Sequence, residues 1–304
     1  METCSCYAGT PVTRSRRLGF GFFHRHRGLT PYLLLAPGIL WLAAFFLVPL
    51  GFLAYQSLET GSIDFGYAFH WAWHNYWDAI QNYRGHFERS FLYAGIATVI
   101  ALVVSYPVAY WIAFRGGRWK NLLLLFIVAP FFVTYLIRTL AWETILSDNG
   151  FVVRTLHTLH VLGSSGRLLA TGTAVVAGIT YNFLPFMALP LYVSLEQIDQ
   201  SLIEAAQDLY ASKWKAFLRV TLPLSLPGVV AGTLLTFIPA AGDFINAQLL
   251  GSPRNHMIGN VIDSKFKELL DYPAAASMSF VLMAAILVAV LIYARAVGTE
   301  KLTG

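Results

Sequence analysis

The sequence predicts an all-α, polytopic membrane protein with about six membrane-spanning helices, and two observations support this. First, 57% of the 304 residues are apolar and 12% are charged, whereas about 25% of the residues of a soluble domain are charged. Second, the apolar residues form long runs without polar alternation, and these runs reach the roughly 20 residues that a helix needs to cross a bilayer. Because lipid cannot hydrogen-bond the backbone, only helices or a closed barrel span it, and unalternating runs favour helices.

The predicted spans cover residues 33–56, 91–114, 122–145, 170–194, 222–247 and 274–296. They form one membrane domain, 31–298, between an N-terminal tail, 1–30, and a C-terminal tail, 299–304. Six crossings put both tails on one side, where Lys and Arg are more frequent, so the positive-inside rule predicts cytoplasmic termini. This asymmetry also accounts for the net charge of +5, which is therefore no sign of a nucleic-acid partner. Cys4 and Cys6 match neither a redox nor a zinc pattern.

The predicted outer segments contain two patterned stretches. Aromatic residues that suit the headgroup level, or less readily a ligand site, are Trp71, Trp73, Tyr76 and Trp77. Apolar residues at helical spacing are Ile258, Val261, Ile262, Phe266 and Leu269. The second pattern predicts an amphipathic helix outside the membrane, which either covers the mouth of the bundle or receives a partner.

The cytoplasmic loop between the fourth and fifth predicted spans, residues 196–219, is patterned like folded structure. Ser201 and Glu204 have the spacing of a capping box, which predicts that a helix begins at Ser201. Apolar residues then recur at helical spacing at Leu202, Ala205, Ala206 and Leu209. Ser212 is predicted to cap a second short helix. On that helix a shared apolar face is formed by Trp214, Phe217 and Leu218.

Two helices that are too short to span the membrane form a compact unit, residues 201–219, which we call the knob. An amphipathic knob fits a groove on a partner protein. The alternative is a pair of helices that lie on the bilayer surface. The pattern of apolar residues alone leaves both interpretations open.

The triplet Glu204-Ala205-Ala206, followed by Leu222-Pro223, resembles the EAA loop of the integral permeases of bacterial ATP-binding-cassette (ABC) importers. The resemblance implies a type I ABC importer-like fold and a coupling helix that docks on a separate ATPase subunit. It assigns this coupling role to Ser201, Glu204, Ala205, Ala206, Leu209, Tyr210, Leu222 and Pro223. Tyr210 stands where the family usually has glycine. Because a positive φ is costly for tyrosine, the turn between the two short helices is open to reshaping.

Longer stretches are similar to the spermidine/putrescine permeases, and the similarity extends over nearly all of residues 30–298. These stretches are 35–37, 138–142, 237–244, 249–251, 257–262 and 271–273. The resemblance implies an importer of spermidine or putrescine in the bacterial cytoplasmic membrane; a permease for another small solute is the alternative. It also implies an ATPase dimer that holds ATP and Mg²⁺, a distinct sister permease and an extracytoplasmic substrate-binding protein, with no cofactor bound by this chain.

Acidic and aromatic side chains near the outer ends of the spans are candidates for the path of a polycation: Tyr135, Trp142, Glu143, Tyr181, Asp243 and Phe244. An ionisable group is costly there unless it faces protein or a wet path, and aromatic faces attract ammonium groups. For Glu143 and Asp243, path and structural roles are weighted equally. Arg138 lies about 140° from Glu143 around a helix of 3.6 residues per turn, so the two are not expected to pair. Arg138 is interpreted as structural, either snorkelling or tethering a neighbouring span.

No nucleotide-binding or catalytic motif is present in the sequence, so we predict a transport subunit without a catalytic site. His70 with His74, and His157 with His160, have metal-like spacing. Neither pair is joined by an acidic or cysteine ligand at helical spacing, so zinc is a weak prediction. The rival class is an ATPase-independent channel or secondary transporter, but no inverted repeat or selectivity-filter segment is evident.

Overall fold

The computed structural model describes residues 30–159 and 166–297, so that Cys4, Cys6 and His160 lie outside it. The chain divides into two units, residues up to Leu53 and residues from Ala54 onward. Within the described ranges, four helices are long and apolar enough to cross a membrane, and two bent pairs of helices raise this number to as many as six. The prediction of a helical membrane protein with about six spans is confirmed, with one small hairpin added.

The first unit consists of α1 (Thr30–Leu42), a π-helical turn (Ala43–Leu47) and the first part of α2 (Val48–Ser57). The stretch Leu35–Ser57 is a candidate span of 23 residues. Its large apolar side chains, such as Leu40 and Trp41, are exposed. A helix that is apolar on all sides suits a lipid environment, as predicted for residues 33–56.

In the second unit, a hairpin of β1 (Glu59–Ser62) and β2 (Gly66–Phe69) precedes a series of helices. The helices are α3 (His74–Arg115), α4 (Lys120–Val128), α5 (Tyr135–Leu146), α6 (Phe151–Thr158), α7 (Gly172–Glu196), α8 (Gln200–Asp208), α9 (Lys213–Ala216), α10 (Leu222–Leu224), α11 (Leu226–Ala241), α12 (Ile245–Leu250), α13 (Ile258–Lys267) and α14 (Tyr272–Val297). The amphipathic helix predicted near 258–269 is α13, which buries Ile258 against α3 and α14.

Helix α3 is much longer than the predicted span 91–114, because it begins at His74. At 1.5 Å per residue its 42 residues extend about 63 Å, roughly twice the thickness of a hydrocarbon core. The predicted first outer loop is therefore mostly hairpin and helix. The side chains of Trp71, Trp73 and Trp77 are exposed in this region, as interfacial anchoring requires.

The core of the second unit forms where α3, α7 and α11 pack together. Helix α3 buries small side chains at a spacing of three or four residues, among them Ala94, Ala97 and Ala101. Helix α11 contributes Gly228 and Gly232. A Cβ atom on Gly228 would lie 2.7 Å from the carbonyl oxygen of Pro190 and one on Gly232 would lie 2.8 Å from Sδ of Met187. Small residues thus let these backbones approach closely, as is common between membrane helices.

The third predicted span, 122–145, is broken. A 3-10 turn (Ala129–Phe132) follows α4, and Val133 and Thr134 are extended before α5 begins. The two halves, Gly117–Phe132 and Tyr135–Thr158, differ in direction by 93°. Pro130 has no N–H group and favours the tighter turn, so this predicted span is a bent pair of helices and not one straight helix.

The fifth predicted span, 222–247, is also divided. Helix α11 covers only Leu226–Ala241, and it is bent by 60° from the segment Lys213–Leu224. Ser225 lies at this bend, where its hydroxyl bonds the Tyr106 hydroxyl of α3 at 2.8 Å. Because α11 ends at Ala241, Asp243 lies in a break before α12 and not inside a span.

Candidate functional site

The first helix of the knob, α8, is capped by Asp199 and not by Ser201. The Asp199 carboxylate accepts a hydrogen bond from the backbone N–H of Ser201 at 2.9 Å. Donation from the backbone and hydroxyl of Ser201 holds the pKa of this carboxyl below its usual value. The predicted capping box is wrong, because a carboxylate placed two residues earlier serves as the cap. Ser201 is therefore in the first turn of α8, and Glu204 is exposed.

The second helix, α9, begins as predicted. The hydroxyl of Ser212 accepts a hydrogen bond from the backbone N–H of Lys215 at 3.4 Å. The basic side chains of α9 and of the turn that follows it are exposed, namely Lys213, Lys215 and Arg219.

Two apolar contacts fix the knob to the bundle, and an ion pair joins α4 to α7 just before the knob begins. Ile203 of α8 packs against a cluster of buried residues from α3 and α7. Phe217, just after α9, contacts Tyr106 and Tyr110 of α3 edge-on, with ring centroids 5.7 and 5.9 Å apart. Lys120 at the start of α4 pairs with Glu196 at the end of α7. The knob is therefore packed directly against α3 and α7.

The apolar stripe predicted for α8 is left uncovered by the rest of the described chain. The exposed fraction is 49% for Leu202 and 82% for Leu209, and Trp214 of α9 adds a ring that is 68% exposed. Ala205 is exposed and Ala206 is half-buried. A firmly held knob with an uncovered apolar face has the form of a docking surface.

Tyr210 keeps the left-handed conformation that glycine would favour, with φ = 61°. Its N–H bonds the Gln207 carbonyl at 2.9 Å, and the N–H of Ala211 bonds the Ala206 carbonyl at 3.1 Å, which closes the end of α8. The turn is thus not reshaped, although this conformation costs a non-glycine residue about 1–2 kcal/mol.

The second half of the EAA-like motif forms the elbow between the knob and α11. Leu222 is half-buried and Pro223 is exposed, and both lie in α10 at the 60° bend. The Leu222 carbonyl accepts a hydrogen bond from the Ser225 hydroxyl at 3.0 Å. These two residues shape the elbow and do not extend the exposed apolar stripe.

The structure joins two of the six predicted path residues in a buried polar cluster. The Asp243 carboxylate accepts hydrogen bonds from the Tyr135 hydroxyl at 2.7 Å and from the backbone N–H groups of Ile245 and Asn246 at 2.9 and 3.2 Å. The amide of Asn246 also donates to it. Asp243 is only 7% exposed. Its carboxylate is fully occupied by these bonds, which assigns it a structural role at the break before α12.

The other four predicted path residues lie elsewhere. The rings of Trp142 and Tyr181 are 5.3 Å apart and line a groove of about 730 Å³ between α3 and α7. The Phe244 ring faces the ammonium of Lys267 at 5.4 Å. Glu143 is half-buried and makes no hydrogen bond or ion pair within the described part of the chain. The six residues therefore do not form one site.

Arg138 is buried and neither snorkels nor tethers a span among the residues that the structure describes. The rings of Phe131 and Tyr135 lie 5.7 Å from its guanidinium carbon. Its Nε and Nη1 atoms have no hydrogen-bond partner there. As expected, it forms no ion pair with Glu143. Across residues 30–159 and 166–297, no group of three His, Cys, Asp or Glu side chains is placed to hold a metal ion.

A family model described as "Binding-protein-dependent transport system inner membrane component" matches residues 105–297, which include the knob, its elbow and the buried cluster. The chain belongs to this family.

Relatives of this inner membrane component include two permeases. The spermidine/putrescine transport system permease protein PotB of Haemophilus influenzae is 37% identical over 258 residues, covering 84% of this chain and 90% of that protein. PotB of Escherichia coli K12 is 40% identical over 201 residues, covering 66% and 73%. A crystal structure of a bacterial ABC transporter involved in alginate import has a TM-score of 0.71 at 16% identity, covering 93% of this chain and 98% of that chain. The structural likeness confirms the ABC importer-like fold.

Sequence reasoning missed the amide and hydroxyl groups that complete the buried cluster of this inner membrane component. The amide of Asn182 donates to the Thr139 hydroxyl at 3.2 Å and to the Asn246 side chain at 3.1 Å. These residues join α5, α7 and α12. The available signal was the presence of two asparagines in apolar stretches, since polar groups buried among membrane helices have partners on neighbouring helices.

Proposed function

We propose that this permease subunit forms part of the translocation path of an ATP-driven polyamine importer and is coupled to a separate ATPase through the knob. The observation that carries the proposal is an apolar docking surface that is rigidly joined to the spanning helices and left uncovered. The partners are an ATPase dimer that holds ATP and Mg²⁺, a distinct sister permease and an extracytoplasmic substrate-binding protein. The knob and both termini face the cytoplasm of a bacterium.

Coupling follows from the contacts at the base of the knob. Movement of the ATPase displaces α8 and α9, and the contacts of Ile203 and Phe217 carry this displacement to α7 and α3. The elbow at Ser225 carries it to α11. A bundle with two packed arrangements, biased from outside in this way, opens alternately to either side.

The polyamine substrate is supported by the names of the similar permeases and by two aromatic side chains and one carboxylate that lie outside the Asp243 cluster. Trp142 and Tyr181 present aromatic faces, each able to contribute about 0.5–2 kcal/mol to binding of an ammonium group. Glu143 supplies a carboxylate that no described residue neutralises. An importer of another small solute is the competing assignment.

The test is uptake of labelled spermidine by proteoliposomes that contain this chain, its sister permease and the ATPase. Glu204→Arg should abolish ATP-dependent uptake while the protein remains inserted, because it reverses a charge on the docking surface. The matched control is Arg118→Glu, a charge reversal in the exposed turn between α3 and α4, which should leave uptake unchanged. Uptake without any ATPase would contradict the importer assignment. ATP-dependent transport that ignores spermidine would contradict only the substrate.

A further inference from the structure

The tip of the knob carries a residue whose conformation and exposure are both unfavourable in this chain alone. Tyr210 has φ = 61°, in the left-handed region that glycine adopts freely. Its side chain is 99% exposed, so the ring has no packing partner among the described residues. The two backbone hydrogen bonds that close α8 here would form equally well with glycine.

Glycine would therefore be at least as good as tyrosine for the isolated fold, and it would expose less apolar surface. The backbone of the turn is held in place, because Ile203 and Phe217 fix the helices on either side of it. An uncovered aromatic ring on a fixed backbone is typical of the anchors that dominate the binding energy of protein interfaces.

We infer that Tyr210 is the aromatic anchor of this permease and inserts into a pocket of its ATPase subunit. Leu209 and Trp214 extend the same apolar tip. Acidic residues lie on the α8 side at Glu204 and Asp208, and basic ones on the α9 side at Lys213 and Lys215. An anionic lipid surface would attract only the basic side. The charge pattern instead fits a protein pocket with a basic rim facing α8 and an acidic rim facing α9.

The inference rests on the proposed function and is tested by the affinity of purified ATPase for the permease complex in nanodiscs. Tyr210→Ala should weaken binding about tenfold or more, because it removes the ring. Tyr210→Phe should stay within about threefold of the wild type, because the ring is kept. The decisive variant is Tyr210→Gly, which removes both the unfavourable left-handed conformation of a non-glycine residue and the ring. It should keep or raise the thermal stability of the permease and still weaken binding about tenfold.

The matched control is Gln207→Ala, which shortens another exposed side chain of α8 and should leave the affinity unchanged. Equal or tighter binding by Tyr210→Gly would overturn the inference. So would quenching of a probe at position 210 by lipid-borne quenchers in the assembled complex, because the ring would then lie in the membrane. If the wild-type complex binds no ATPase at all, the proposed function itself fails, and this result is distinct from both others.

Discussion

At the scale of single residues, two carboxylates that look alike in the sequence have different surroundings. Asp243 is buried and accepts hydrogen bonds from one hydroxyl, one amide and two backbone N–H groups. Glu143 is half-buried and has no partner among the described residues. The first therefore holds α5 against α12, whereas the second is free to meet a cation.

Removing the Asp243 carboxylate should destabilise the fold. Asp243→Ala leaves the Tyr135 hydroxyl and the first backbone N–H groups of α12 without an acceptor. We therefore expect the free energy of unfolding to fall by about 1–3 kcal/mol. Thermal unfolding of the purified permease in detergent measures this loss. Glu143→Gln is the control and should change stability by less than about 0.5 kcal/mol. Equal stability of Asp243→Ala and the wild type would contradict the structural role.

The sequence predicted some of these residue-level features and missed others. The cap at Ser212 was predicted, because a serine directly before a short amphipathic run is typical of a helix N-cap. The cap at Asp199 was missed, because Ser201 and Glu204 formed a more recognisable pattern two residues later. The burial of Asp243 depends on Tyr135, 108 positions earlier. A contact between residues so far apart along the chain leaves no local pattern in the sequence.

At the scale of elements, close packing of α11 against α7 depends on glycine. A Cβ atom on Gly228 would meet the Pro190 carbonyl oxygen at 2.7 Å, and this backbone atom cannot turn aside. By contrast, a Cβ atom on Gly95 of α3 would meet nothing within 4 Å. Close helix packing therefore requires glycine at position 228 but not at position 95.

Gly228→Ala should force α11 away from α7 and lower the free energy of unfolding by about 1–3 kcal/mol. Gly95→Ala should raise it by about 0.5–1 kcal/mol, since alanine suits a helix interior better. Denaturation of both variants in the same detergent shows whether the free energy of unfolding falls for Gly228→Ala and rises for Gly95→Ala. A stabilising Gly228→Ala would show that the helices are not in close contact.

Four of the six spans lie close to their predicted places, and the other two are bent pairs of helices. A long apolar run indicates where the chain is solvated by lipid, but not whether its helix is continuous. Residues 122–145 read as one span, although Pro130 and the extended residues Val133 and Thr134 turn the chain by 93°. The hairpin before α3 was missed because each of its strands is only four residues long.

At the scale of the whole molecule, the knob is where the described chain leaves apolar surface uncovered on a rigid, charged element. The docking role that we propose for it could be predicted from the sequence, because the EAA-like motif is local and the helices of the knob are amphipathic. The path residues were less predictable, because aromatic and acidic side chains with similar sequence surroundings separate into a cluster, a groove and a contact with Lys267.

The central claim, that the knob docks on a cytoplasmic ATPase, is tested most directly by site-specific photo-crosslinking in native membranes. The chain used has Cys4 and Cys6 replaced by serine, which prevents disulfide artefacts. A photo-crosslinking amino acid that replaces Leu209 should form a single adduct, and this adduct should contain the ATPase subunit. The control is Phe65, which is 94% exposed in the hairpin and should form no such adduct. Labelling of position 209 by an impermeant reagent from the outer face, or crosslinks to lipid alone, would contradict the claim.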